Sequence, residues 1–313
     1  MNAGTRIIGR RAFDRTRNLC VAGLAWPEPS GAKPVGPASR RSLPGRAGWP
    51  RPAHFPFFRR RLFSLFSFTM PDRTYGLPVD ADLPIWLFPD DTCLKAHSCY
   101  TAAKAGDVAA AVSLVSDIAL PFLIENHHGL PAGACYVAPH ACEATGDNAI
   151  PQVLAQACAM VAGGEADTDI VQITRVFHTG ADSMERIATR ADFEGLVKPD
   201  ALHILVDDVT TMGGTLAELA HFIQSRGGKV AGVVVIVNAG RAKNLRPLAS
   251  VIRKIENRHG HEIEQILGIQ PAALTANEAN YLVGFRTSDE IRNRLAKARE
   301  ETNRRLRSKG IEG

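Results

Sequence analysis

Leu202-His203-Ile204-Leu205-Val206-Asp207-Asp208-Val209-Thr210-Thr211-Met212-Gly213-Gly214-Thr215 is the stretch on which the fold turns. A mostly apolar run predicts a strand over 202–206. The spacing of Leu216, Leu219, Phe222 and Ile223 predicts an amphipathic helix over 215–226. Between them stand two adjacent carboxylates and a short turn of hydroxyls and glycines. Neighbouring strand residues point to opposite faces, so Asp207 and Asp208 cannot both be ordinary solvent-facing charges beside a covered sheet. A buried carboxylate is costly unless it meets ribose hydroxyls, a metal-bound water or a basic neighbour. Gly213 and Gly214 let backbone N–H groups approach a ligand closely, and the helix start adds donors and a positive dipole end. Open α/β sheets bind ligands at the carboxyl ends of their strands. Carboxylates for a sugar beside a cradle for an anion predict a sugar-phosphate site.

Helix and strand patterns alternate on either side of this stretch. Helical spacing runs over 100–124, where Pro121 kinks or ends it. A short apolar run over 134–138 stops at Pro139. A helix is predicted over 150–161, with Pro151 in its first turn and Gly163-Gly164 at its close. Strands are predicted over 170–174 and 230–237, the second as apolar as a strand covered on both faces. This alternation predicts a doubly wound parallel α/β sheet. Residues 76–99, with Pro78, Pro84 and Pro89, predict a small cap or edge element.

The chain has 313 residues, 45% hydrophobic and 22% charged, which suits one or two packed domains and excludes a fibrous or wholly disordered protein. No apolar run is long enough for a membrane-spanning helix. The formal charge of +5 is unevenly placed: residues 1–69 carry 13 Lys/Arg and 2 Asp/Glu, so the remainder is acidic. That opening stretch also holds 8 of 19 prolines and lacks periodicity, so it is not expected to pack. It reads as a segment upstream of a true start at Met70, as a disordered basic arm, or as an organellar targeting segment. Six cysteines without a C-x-x-C pair fit a reducing cytoplasm. The expected division is 1–69, an α/β domain over 70–270, and a basic helical extension over 271–313.

The stretch 204–215 resembles the signature of the type I phosphoribosyltransferase family: apolar strand, acid pair, and a Thr- and Gly-rich loop opening a helix. The resemblance implies that Asp207 and Asp208 form the catalytic pair, holding the ribose hydroxyls of phosphoribosyl pyrophosphate. It also implies that Thr211, Met212, Gly213, Gly214 and Thr215 hold the 5′-phosphate, and that Mg²⁺ accompanies the diphosphate. Two residues depart from the pattern. Thr210 replaces an apolar residue, and Met212 replaces Thr or Ala, adding bulk near the phosphate. Upstream, residues 134–139 with Asn148-Ala149-Ile150-Pro151 look like the family's pyrophosphate turn. Arg175-Val176-Phe177-His178-Thr179 with Arg186, Arg190 and Phe193 looks like its closing loop. The loop spacing is similar to that of the ComF-like branch associated with DNA uptake. The whole likeness covers about 134–240. It implies transfer of a phosphoribosyl group to an unidentified nucleobase or amine, through an oxocarbenium-like transition state. His140, Arg186 and Arg190 would lie on the pyrophosphate side, and a homodimer is compatible.

Competing readings of the acid pair lack their partners. No G-x-x-x-x-G-K-[ST] loop supports a nucleotide hydrolase, and no G-x-G-x-x-G supports a dinucleotide site. His127-His128, His140 with Cys142 and Glu143, and His259 with His261 lack metal-ligand spacing and read as surface or loop histidines. Thr275-Ala276-Asn277-Glu278 predicts a capping box for a helix over 279–283, and Ser288 a cap for the next helix. Between 286 and 309 stand nine basic and four acidic residues. A solvated helical face is the favoured reading there, and nucleic-acid contact the other. A non-catalytic ligand sensor or DNA-transaction accessory on the same fold is the alternative function.

Overall fold

The computed structural model describes residues 72–78, 85–87, 91–138, 142–143, 146–174 and 181–308. The expectations for 1–69, for His140 and for Arg175–Thr179 of the closing loop lie outside them. β1 (Ile85–Leu87), α1 (Asp91–Ala96), α2 (Tyr100–Lys104), α3 (Val108–Ile118) and α4 (Leu120–Asn126) come first. Next are β2 (Cys135–Val137), the hairpin of β3 (Cys142–Glu143) and β4 (Gly146–Asp147), and α5 (Ile150–Ala162). β5 (Glu165–Ala166), β6 (Val171–Gln172), α6 (Ser183–Ala188) and β7 (Phe193–Glu194) precede β8 (Leu202–Thr210), α7 (Gly214–Gln224) and β9 (Lys229–Asn238). Four helices follow: α8 (Ala249–His259), α9 (Glu262–Leu267), α10 (Ala276–Leu282) and α11 (Ser288–Ser308).

Five strands form one sheet in the order β1-β9-β8-β2-β5, and every pairing in it is parallel. Strand alternation distributes the side chains between two cores. Tyr136, Ile204, Val206, Val234 and Ile236 pack with Ile150, Val153, Leu154 and Cys158 of α5 and with Leu114 of α3. Cys135, Val137, Leu205, Val233 and Val235 pack on the other face with Leu216, Leu219, Phe222 and Ile223 of α7. Covering both faces removes the central strands from water, which is why β9 reads as an unbroken apolar run. The fold is therefore α/β, with a parallel sheet between helical layers. A third cluster joins Met184 and Ile187 of α6 to Ile255, Ile263, Leu282, Ile291 and Leu295 of the last four helices. Together with Ile269 and Leu274, it draws on both sides of position 270.

The expected strand over 170–174 is not part of the central sheet. Val171–Gln172 pairs antiparallel with Phe193–Glu194, and the edge place beside β2 goes to Glu165–Ala166. The helical pattern over 100–124 divides into three helices, because Asp107 caps α3 through Ala110 N and Pro121 opens α4. The polar region before β8 contains α6, anchored by a capping box between Asp182 and Glu185. The expected edge element over 76–99 includes β1, paired with β9. The capping box of Thr275 and Glu278 is present. At α11 the cap is Thr287, whose Oγ1 accepts from Glu290 N at 3.3 Å, while Ser288 Oγ sits 3.2 Å from His259 Nδ1. No single helix among the described residues is long and apolar enough to cross a membrane.

Candidate functional site

β2 leads through α5 to β5 on one side, whereas β8 and β9 lie on the other side of β2. Diverging connections make the carboxyl ends of β2 and β8 the switch point of the sheet, the position where open α/β sheets take ligands. Asp207 and Asp208 sit at that end of β8, and Asn148 follows β2. Alternation places Asp208 on the α5 face, in line with Ile204 and Val206, and Asp207 on the α7 face.

The two carboxylates differ in environment. Asp208 is buried, and its Oδ2 accepts from Lys104 Nζ at 2.9 Å and from Asn148 Nδ2 at 3.1 Å. Its Oδ1 accepts from Val209 N at 2.8 Å. Lys104 ends α2, and Asn148 also accepts from Ile150 N, tying the acid to the start of α5. Asp207 is half-buried and accepts from Asp208 N at 2.8 Å. Desolvation, and then the neighbouring Asp208 charge, push its carboxyl well above the usual carboxylate range, while Lys104 pulls the other way.

Beyond β8, Gly213 adopts φ 77°, the left-handed conformation that a side chain resists, and begins α7. No side chain caps this helix, so the start of α7 retains donors suited to an anion. Thr211, Gly214 and Thr215 are half-buried there. A Cβ at Gly214 would stand 3.2 Å from Glu278 Oε1, so glycine at this position lets α10 approach the turn. The Met212 side chain, expected to add bulk near the phosphate, packs against the third hydrophobic cluster.

Sequence reading placed Arg186 and Arg190 on the pyrophosphate side, and the structure gives each another engagement. Arg190 is spent on Glu218 of α7, with Nη2 to Oε2 at 2.8 Å, and on Gly268 O at 3.2 Å. Arg186 donates to Ala181 O at 3.1 Å beside Glu185 and Arg305, and burial lowers the pKa of its guanidinium. The acid pair's described cation is instead Lys104, which the periodicity of 100–124 showed only as part of a helix. Arg73 also escaped notice. It is fully buried and donates to Glu218 Oε1 at 2.9 Å and to Glu278.

Several cations of α11 are held by acids of the fold. Arg294 pairs with Asp182, Arg305 with Glu185 at 2.9 Å, and Arg292 with Glu262 at 3.0 Å. Among the described residues, the one acidic group compact enough for a metal is Asp182, Glu185 and Glu301, and two of these are in those ion pairs. His259, expected on the surface or in a loop, instead ends α8 and is buried against Ser288.

No protein-family model matches the chain. Over 213 residues, or 66% of its length, it is 36% identical to the protein TraN of Escherichia coli, of which the match covers 48%. It is 34% identical over 129 residues to an uncharacterized protein of Haemophilus influenzae, a match covering 41% of this chain and 29% of that protein. The chain thus matches less than half the length of either relative.

Proposed function

We propose that this chain is a phosphoribosyltransferase-like protein of the type I kind. In this reading it binds phosphoribosyl pyrophosphate and transfers the phosphoribosyl group to a nucleobase or amine. The observation that carries the reading is the juxtaposition, at one carboxyl edge of the sheet, of an acid pair and a glycine turn opening an uncapped helix. A vicinal diol donates two hydrogen bonds to carboxylates, while a terminal phosphate accepts from backbone donors. Gripping both ends of the pentose phosphate holds the anomeric carbon in place, so remote binding energy serves the reacting centre. Asp207, half-buried and with a charged form that its surroundings disfavour, suits a ribose hydroxyl or a divalent cation. Mg²⁺ bound at this edge would neutralise the departing diphosphate. Asp208, held by Lys104 and Asn148, would position rather than exchange protons.

The second reading, a ligand sensor without transferase activity, draws on the commitment of Arg190 to Glu218, which withholds one expected cation from the leaving group. Calorimetry with phosphoribosyl pyrophosphate and Mg²⁺ tests both. Binding in the wild type that is lost in Asp207→Asn/Asp208→Asn, with pyrophosphate released on adding a nucleobase panel, supports the transferase. Binding without release supports the sensor. Absence of binding in the wild type overturns the sugar-phosphate site itself.

A further inference from the structure

The turn between β8 and α7 is held from outside its own βα unit. Thr275 Oγ1 donates to Met212 O, and Asn277 Nδ2 donates to Thr211 O at 2.9 Å. Asn277 Oδ1 accepts from Ala242 N at 2.9 Å, so the same side chain fixes the loop after β9. Asn238 braces that loop from within, accepting from Gly240 N and donating to Ala242 O, both at 2.9 Å. Close approach is built in: a Cβ at Gly240 would meet both Asn277 Nδ2 and Thr211 O at 2.3 Å.

In a trans peptide the C=O and the N–H point in opposite directions. Pinning the carbonyls of Thr211 and Met212 onto the start of α10 therefore turns the N–H groups of Met212 and Gly213 away from it. Thr275 is itself immobilised, because its backbone N donates to Glu278 at 2.8 Å and Glu278 is clamped by the buried Arg73.

We propose that Thr275 and Asn277 are positioning residues for the anion cradle: from α10 they set the peptide planes whose N–H groups receive the phosphate. This rests on the sugar-phosphate reading above and adds its specific support. Preset donors need no reorganisation when the anion arrives, which is where such a device gains affinity.

The test uses the full chain with phosphoribosyl pyrophosphate and Mg²⁺ in calorimetry. Inorganic phosphate serves as a second probe, read by the amide resonances of Met212 and Gly213. Thr275→Val and Asn277→Ala should each weaken binding about tenfold, the scale of one lost hydrogen bond. Thr275→Ser, which keeps the hydroxyl, should bind like the wild type. Phosphate should shift the amide resonances of Met212 and Gly213 in the wild type. If Thr275→Val fails to fold, the Asn277→Ala titration and the wild-type resonances decide. Wild-type affinity in the folded variants, or unmoved amides in a protein that binds the ligand, overturns the positioning role and leaves the site standing. A wild type that binds neither probe overturns the site, and this inference with it.

Discussion

Asp207 has a charged form that its surroundings resist, and that resistance has a sign in pH. Its folded carboxyl holds a proton above the usual range, so between about pH 4 and its raised value the native state binds more protons than the unfolded chain. Its contribution to stability therefore falls as pH rises through that window. Asp207→Asn keeps an acceptor for Asp208 N and removes the charge. The variant should have a higher urea midpoint than the wild type at pH 7.5, and the gain should shrink toward pH 4. A lower midpoint at pH 7.5 would show that the carboxylate is satisfied internally. Sites for charged ligands commonly hold such residues at a stability cost. The acid pair and glycine turn were legible in sequence because strand, acids, bend and helix are contiguous. Lys104 and Thr275 were not legible as site residues. They reach Asp208 and Met212 only through tertiary packing, and no local pattern announces a partner 63 residues away.

Elements were legible where their periodicity was long. β8, β9, α5 and α7 lie where alternation and helical spacing put them, since each buries a full face. β5 was missed because two residues show no period, and the more apolar segment over 170–174 drew the assignment. What marks β5 is its entry. Gly164 packs so tightly that a Cβ would stand 2.4 Å from Ala134 O, while Glu165 N donates to that same oxygen at 3.1 Å. Gly164→Ala must therefore push β5 away from β2. A loss of roughly 1–3 kcal/mol is expected, as for other overpacked sites, read as a lower urea midpoint at unchanged slope. A neutral result would mean that this edge yields freely. α6 went unread in the polar stretch after 178 for a related reason: it buries Met184 and Ile187, an apolar pair too short to show a helical face.

At the scale of the molecule, Arg73 joins segments distant in sequence. Its chain segment forms a parallel bridge to Ile269, and its guanidinium pairs with Glu218 of α7 and Glu278 of α10. Arg190 supplies the second cation to Glu218. Removing one partner from such a buried network strands the other charges. Arg73→Met should destabilise the protein by roughly 3–5 kcal/mol, and a change under about 1 kcal/mol in urea melts would show that the glutamates find other partners. Because Glu278 also caps α10, the variant should loosen the Thr275 contact with the glycine turn. Nothing in the sequence near Arg73 suggested this role. A buried arginine is identified by what surrounds it, and its partners lie 145 and 205 residues away.

That separation bears on how the protein comes into being. On the ribosome, Arg73 emerges before the acid pair, and the acid pair before the residues that floor the glycine bend. A nascent chain paused after β9 has its sheet strands and its carboxylates, but neither Thr275 nor Asn277 beneath the bend. On the proposed reading, the grip on an anion is thus complete only once Asn277 has been made, and a product terminated before it holds both acids over an unset bend.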